Sequence, residues 1–226
     1  MNKKYKILIT NDDGYEANGL LCLVDALREL EDVEVTVVAP ANCIYLSLST
    51  MFENEKPDLV VSGINRGSNM GEDITYSGTA AGAMEGVLHD VPAIAISQVM
   101  DFSDPSGDFR LAHKTIKKLV SKIREGSFPL PARQFLNINI PSNKQEAEIK
   151  VTYAGYRHYA NDSHLHRNPR GEEFHWLGLH PLDFSSREGK TGMTDFDAIE
   201  SGYISITPIM LDLSAYKSMK ALEEWL

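Results

Sequence analysis

The sequence predicts an α/β fold: a doubly wound, mostly parallel sheet of Rossmann-like layout, followed by a C-terminal β-rich extension and a terminal helix. Three observations predict it. Strand and helix signals alternate regularly through the first 140 or so residues, and the strand runs are almost wholly apolar, as in sheets covered on both faces. The first apolar run, Ile7-Leu8-Ile9-Thr10, ends abruptly in Asn11-Asp12-Asp13-Gly14, at the strand end where open α/β sheets place their chemistry.

Residues 5–10 form the first β-rich run, 18–30 carry Leu20, Leu21, Val24, Leu27 and Leu30 at helical spacing, and 33–39 is a second strand. Together these make a βαβ unit. A third strand is expected at 57–62, a small-residue-rich helix at 77–89, a fourth strand at 92–97, a helix at 106–124 and a fifth strand at 134–139. After Pro141 the pattern changes. Residues 148–156, 172–178 and 202–207 read as strands without regular helices between them, while 157–171 is a polar loop rich in His, Arg and Asn. Residues 214–226 read as a helix with Ser214 as its N-cap, and Leu213, Met219, Leu222 and Trp225 give it an apolar side. The chain thus divides into a core with the site over 1–141 and an extension over 142–226, comprising a β-hairpin, a returning strand and the C-terminal helix. That helix is expected either to dock on a partner subunit or to fold back on its own chain.

Composition narrows the function classes. A chain of 226 residues can bury a full core without disulfides or structural metals. No apolar run is long enough to cross a bilayer, and the run after Lys3-Lys4-Tyr5-Lys6 is too short for a secretory leader, so a cytoplasmic protein with reduced Cys22 and Cys43 is expected. A net charge of −10 argues against binding a nucleic-acid backbone and leaves an anionic substrate dependent on local positive charge.

Asp12 and Asp13 are adjacent anions whose mutual repulsion a divalent cation would reverse, although Asn-Asp-Asp-Gly is also good turn chemistry. The segment from Ser62 to Ala83 is the densest in chemistry. Gly63, Gly67 and Gly71 permit sharp excursions, Asn65 and Asn69 offer neutral oxygen and amide ligands, and Ser77-Gly78-Thr79 opens an Ala/Gly helix whose N–H groups suit a phosphate. The plainer alternative makes Ser77 an N-cap and the glycines packing devices. A dinucleotide enzyme is disfavoured, because acids stand where a Gly-x-Gly-x-x-Gly turn would meet pyrophosphate. His158, His164 and His166 are read as solvated loop histidines, Arg157, Arg167 and Arg170 as exposed loop cations, and Tyr153, Trp176 and Tyr203 as packing aromatics.

The segments Ile9 to Gly14, Val37-Val38-Ala39-Pro40, Asp58 to Gly86, Leu136-Asn137-Ile138-Asn139-Ile140-Pro141, Thr194-Asp195 and Gly202 to Pro208 resemble, in order and across the chain, the SurE family of nucleotidases and phosphatases. The resemblance implies a phosphomonoesterase acting on nucleoside 5′- and 3′-monophosphates with one divalent ion per subunit, Mg2+ or Mn2+. It implies Asp12, Asp13 and Asn65 as metal ligands, with Asp12 or Asp13 also acting on the attacking water. Asn69, Ser77, Gly78 and Thr79 match phosphate-binding positions, and a homodimer or homotetramer built through C-terminal elements is implied. In the family, Val-Ala-Pro is followed by a longer segment that carries a serine metal ligand. Here Asn42 runs directly into Cys43, so the serine is missing, and the matching flanks suggest a loop omitted from the sequence rather than lost from the protein. An intact mass of 25.2 kDa would rule that out. The missing serine keeps a non-catalytic metal or nucleotide sensor as the alternative to an enzyme.

Overall fold

The computed structural model describes residues 3–41, 43–100, 107–159, 163–177, 181–186 and 191–226. The chain runs β1 (Tyr5–Thr10), α1 (Asn18–Arg28), β2 (Val33–Val37), α2 (Cys43–Thr50), β3 (Leu59–Arg66), a 3-10 helix (Gly71–Tyr76), α3 (Gly78–Leu88), β4 (Ala93–Gln98), α4 (Arg110–Glu125) and β5 (Gln134–Ile140). Then follow β6 (Ile149–Val151), β7 (Tyr156–Tyr159), β8 (Ser163–Arg167), β9 (Glu173–Leu177), β10 (Pro181–Ser185), α5 (Asp195–Glu200), β11 (Ile204–Met210) and α6 (Tyr216–Trp225).

Seven strands form the central sheet in the order β2-β1-β3-β4-β5-β11-β6. The first five are parallel, β11 is antiparallel to β5, and β6 is parallel to β11. Alternation along each strand decides which layer a side chain joins. Ile7 and Ile9 of β1 pack with α1 and α4, whereas Leu8 between them packs with α2 and α3. Leu59 and Val61 of β3 follow the first pair, and Val60 follows Leu8. Both faces are therefore covered, as the apolar strands require.

Most of the expected elements are present, with shifted ends. The third strand runs on to Arg66 through a bulge between Ser62 and Asn65. The strand expected at 148–156 is broken into β6, an isolated bridge at Tyr153 and β7. The polar loop expected at 157–171 carries β7 and β8, and His164 and His166 lie on β8 opposite Trp176 and Phe174 of β9. Helix α5, absent from the sequence reading, starts at a capping box in which Thr194 and Asp197 exchange hydrogen bonds. The terminal helix is capped by Ala215 without a side-chain bond rather than by Ser214, and none of its residues is buried. No helix among the described residues is long and apolar enough to cross a membrane.

Candidate active site

The site lies at the carboxyl ends of β1 and β3, facing the start of α3. The β1 tip turns at Asn11, whose buried amide donates to the Gly14 carbonyl at 2.8 Å and fixes the Asp12-Asp13 turn. Asp12 and Asp13 are thereby exposed in the crevice. Asp12 Oδ1 accepts from Thr79 Oγ1 at 2.7 Å, while Asp13 Oδ2 accepts from the Arg66 backbone N–H at 3.2 Å, next to Asn65. Partial desolvation pushes the Asp13 carboxyl above its ordinary value, the Arg66 N–H lowers it, and the Asp12 charge raises it again. Asn65 is half-buried, with its amide donating to Gly67 O at 2.9 Å.

The sequence-derived candidates therefore gather on two sides of one crevice. On the helix side, Ser77 is the N-cap of α3 and accepts from Ala80 N at 2.9 Å. Ala81 N is bonded to the Ser77 carbonyl, which leaves the first-turn N–H groups of Gly78 and Thr79 without partners among the described residues. Thr79 is fully buried and its hydroxyl is committed to Asp12, so it offers an anion its N–H. Gly78 packs directly against Asp12: a Cβ there would lie 2.5 Å from Asp12 Oδ2. Asn69 is buried, with its Nδ2 donating to Ser97 Oγ at 2.8 Å. A cavity of about 240 Å3 lined by Asp13, Ala17, Asn18, Gly19, Arg66 and Phe109 opens beside the carboxylates.

Two carboxylates and the Asn65 amide oxygen could offer hard oxygens, which would suit Mg2+ or Mn2+ better than a soft or imidazole-seeking metal. The raised Asp13 carboxyl, pushed in part by the Asp12 charge, is the electrostatic penalty a cation would relieve. Among the described residues, no three His, Cys, Asp or Glu side chains come together as a separate metal cluster. His158 bonds Ser185 at 2.9 Å and His166 stacks on Phe174, so both have structural partners on the hairpins.

Two sequence expectations about the extension change. Arg157 is not an exposed cation: its side chain is 11 % exposed and forms an ion pair with Asp73, while its backbone N–H donates to Glu72 Oε2 at 3.0 Å, tying β7 to the 3-10 helix. Trp176 is not packed in a core but 59 % exposed on β9. Arg167 does stay at the surface, paired with Glu173.

The Survival protein SurE family model matches residues 7–42 and 39–161. A 5′-nucleotidase SurE of Sulfurimonas denitrificans is 63% identical over 262 aligned positions, spanning 99% of each chain. The chain belongs to the SurE family. A 5′-nucleotidase SurE of Nitratiruptor sp. is 45% identical over 98% of this chain and 99% of its own. The crystal structure of the SurE protein from Aquifex aeolicus superposes with a TM-score of 0.76 at 33% identity, over 97% of this chain and 99% of that one. The alignment to the Sulfurimonas SurE is 262 positions long against 226 residues here, at least 36 more than this chain can fill. The family match falls in two stretches that overlap at 39–42, beside the Asn42–Cys43 junction where the sequence departs from the family pattern. Asn42 itself lies outside the described residues. Cys43 opens α2 directly, its N–H bonded to Pro40 O at 2.9 Å. Three residues at this site went unassigned in the sequence reading, Asn137, Asn139 and Asp195. All lie in segments that carried the SurE resemblance, and all reach the Asn69–Gly71 loop.

Proposed function

We propose that this chain is a divalent-metal-dependent phosphomonoesterase that hydrolyses nucleoside 5′- and 3′-monophosphates to nucleoside and phosphate. One observation carries the reading: two adjacent carboxylates, Asp12 and Asp13, face the open N-terminus of α3 across a crevice, with Asp12 held by Thr79 at 2.7 Å. Carboxylates alone would repel a phosphate at that helix mouth, and a cation between them makes the two halves compatible. The name of the relatives, 5′-nucleotidase SurE, agrees with this chemistry.

Asp12, Asp13 and the Asn65 oxygen would hold one Mg2+ or Mn2+ per subunit, which when bound supplies Lewis-acid charge against the phosphoryl oxygens. The Gly78 and Thr79 N–H groups, the Ser77 hydroxyl and Asn69 orient the phosphoryl group in line for attack. Asp12 or Asp13 orients the attacking water and accepts its proton. With both carboxylates committed to the cation, an aspartyl nucleophile is disfavoured, and absence of a phosphoenzyme burst in single turnover is the expected outcome. The core over 1–141 carries this chemistry, and the extension over 142–226 supplies subunit contacts, consistent with the exposed Tyr216, Met219, Leu222 and Trp225 of α6.

The test is phosphate release from nucleoside monophosphates with Mg2+ or Mn2+, with and without EDTA, on the wild type and Asp12→Asn. Metal-dependent release that falls at least 100-fold in the variant is expected, because the carboxylate contributes to both the cation and the water. Equal activities would discredit the site, and tight nucleotide binding without release would return the sensor reading.

A further inference from the structure

The α3-facing side of the sheet is apolar at its base, with Val60, Ala93, Ala95 and Phe135 in one core cluster. It turns polar toward the crevice. Ser97 of β4, Asn137 and Asn139 of β5, and Ser205 and Thr207 of β11 lie on that same face in register, and all five are buried. Buried polar groups are retained where they are hydrogen-bonded to some purpose: Ser205 and Thr207 bond Thr152, whereas Ser97, Asn137 and Asn139 share one target, Asn69.

Asn139 closes two hydrogen bonds on one residue: its Oδ1 accepts from Asn69 N–H at 2.8 Å and its Nδ2 donates to Asn69 O at 2.9 Å. Asn137 Nδ2 donates to the same carbonyl at 2.8 Å, and Ser97 accepts from the Asn69 side chain. Two residues further on, Asp195 takes over. It is fully buried, its Oδ2 accepts from Gly71 N–H at 2.7 Å, and its Oδ1 accepts from Gly155 N–H at 3.0 Å and Phe196 N–H at 3.1 Å. Gly71 has φ +55, and any side chain there would strike the Phe196 ring at 2.7 Å, so the backbone at this point has one seat.

We infer that Asn137, Asn139 and Asp195 are positioning residues which, by holding the backbone of Asn69 and Gly71, fix the phosphate-contacting loop before substrate arrives. The inference rests on the proposed phosphatase reading of the site. Three backbone groups of the loop, Asn69 N–H, Asn69 O and Gly71 N–H, are held by side chains from β5 and from the start of α5, and none of the hydrogen bonds of the three clamp residues goes to the Asp12-Asp13 turn. Loss of the clamp therefore weakens phosphate binding and spares the cation. A preorganised donor loses its advantage once the loop must be ordered at the moment of binding.

The experiment compares wild type with Asn139→Ala, Asn137→Ala and Asp195→Asn, each loaded with Mn2+. The readouts are KM and kcat for a nucleoside monophosphate, the affinity for inorganic orthophosphate by calorimetry, and the Mn2+ concentration for half-activation. Expected for Asn139→Ala is a rise of about tenfold or more in KM and in the orthophosphate Kd together, the scale of losing paired contacts to one residue. Half-activation by Mn2+ should stay within about twofold, and Asn137→Ala, which leaves Asn69 O one partner, should give a smaller shift in the same direction. A lower kcat with unchanged KM and unchanged orthophosphate affinity would mean fewer folded molecules and would overturn the inference. So would a loss of Mn2+ affinity equal to the loss of phosphate affinity. If Asn139→Ala does not fold, Asn137→Ala and Asp195→Asn decide on the same readouts. A wild-type protein that neither binds orthophosphate nor releases it overturns the functional reading itself, whereas an active wild type with unaffected variants overturns the clamp alone.

Discussion

Gly78→Ala separates catalysis from folding more sharply than removal of a carboxylate. Gly78 is the first residue of α3 and its backbone is not in the left-handed region, so alanine is conformationally allowed and raises helix propensity by up to about 1 kcal/mol. The added methyl meets Asp12 on three atoms, at 2.5 Å from Oδ2, 2.8 Å from Cβ and 3.0 Å from Cγ. Rotating the carboxylate cannot clear the Cβ contact, so the side chain and its turn must retreat. Reaching an ordinary 3.4 Å from 2.5 Å requires about 0.9 Å of movement, enough to break the 2.7 Å bond from Thr79. A displacement near 1 Å at reacting groups costs on the order of 100-fold in rate, or about 2.7 kcal/mol of transition-state stabilisation. Metal-dependent phosphate release should therefore fall about 100-fold in kcat/KM, while the urea midpoint stays near wild type because the helix gain offsets local strain. Activity within about threefold of wild type would mean that Asp12 is not where the chemistry happens, or that its position does not matter.

Gly19→Ala should act in the opposite way. Its Cβ would lie 2.0 Å from the Ile64 carbonyl oxygen, a backbone atom of β3 that cannot swing aside, so a loss of about 3 kcal/mol in urea unfolding is expected and an unchanged midpoint would refute the packing argument. Burial raises the Asp195 carboxyl above its usual value and the backbone N–H groups of Gly71, Gly155, Phe196 and Asp195 itself lower it again, with burial the larger cause. A raised folded value means its contribution to stability is fully present below about pH 3.8 and is lost as the pH climbs through the folded value. The stability difference between wild type and Asp195→Asn should accordingly turn against wild type between those limits; a difference that instead grows in favour of wild type would contradict the direction. Ending the chain at Leu211 removes α6, none of whose side chains is buried, so sedimentation should show smaller assemblies with little change in the melting temperature of the core. A collapse of the melting temperature would place α6 against its own chain.

The fold was legible wherever burial is two-sided and local. The Ile7-Leu8-Ile9 run needs apolar residues at every position because successive side chains enter different layers, and the same logic made β3, β4 and β5 readable. The extension lacked that signal. In β8 every residue is exposed, so Ser163-His164-Leu165-His166-Arg167 shows no clear alternation and reads as a polar loop, although its pairing with β9 is regular. Helix α5 is six residues long, too short for a periodic stripe, and its capping box uses Asp197 where a Glu or Gln would have announced it.

At the site, legibility followed sequence distance. Asp12, Asp13, Ser77, Gly78 and Thr79 declared themselves because each group of neighbours is a small chemical unit: a pair of anions, and a cap opening a helix. The side chains that hold the loop between them are not neighbours of anything they bond. Asn139 reaches Asn69 across 70 residues and Asp195 reaches Gly71 across 124, and each sits in a strand or cap whose local pattern already accounts for a polar residue. In a strand buried on both faces, however, Leu136-Asn137-Ile138-Asn139-Ile140 places two amides on a face that Phe135 has already committed to the core. An amide there must spend its hydrogen bonds on something other than water. The alternation of Asn with aliphatic residues inside an otherwise apolar strand thus carried the information that a loop crosses above β5 at that point, and only the identity of the loop required the three-dimensional structure.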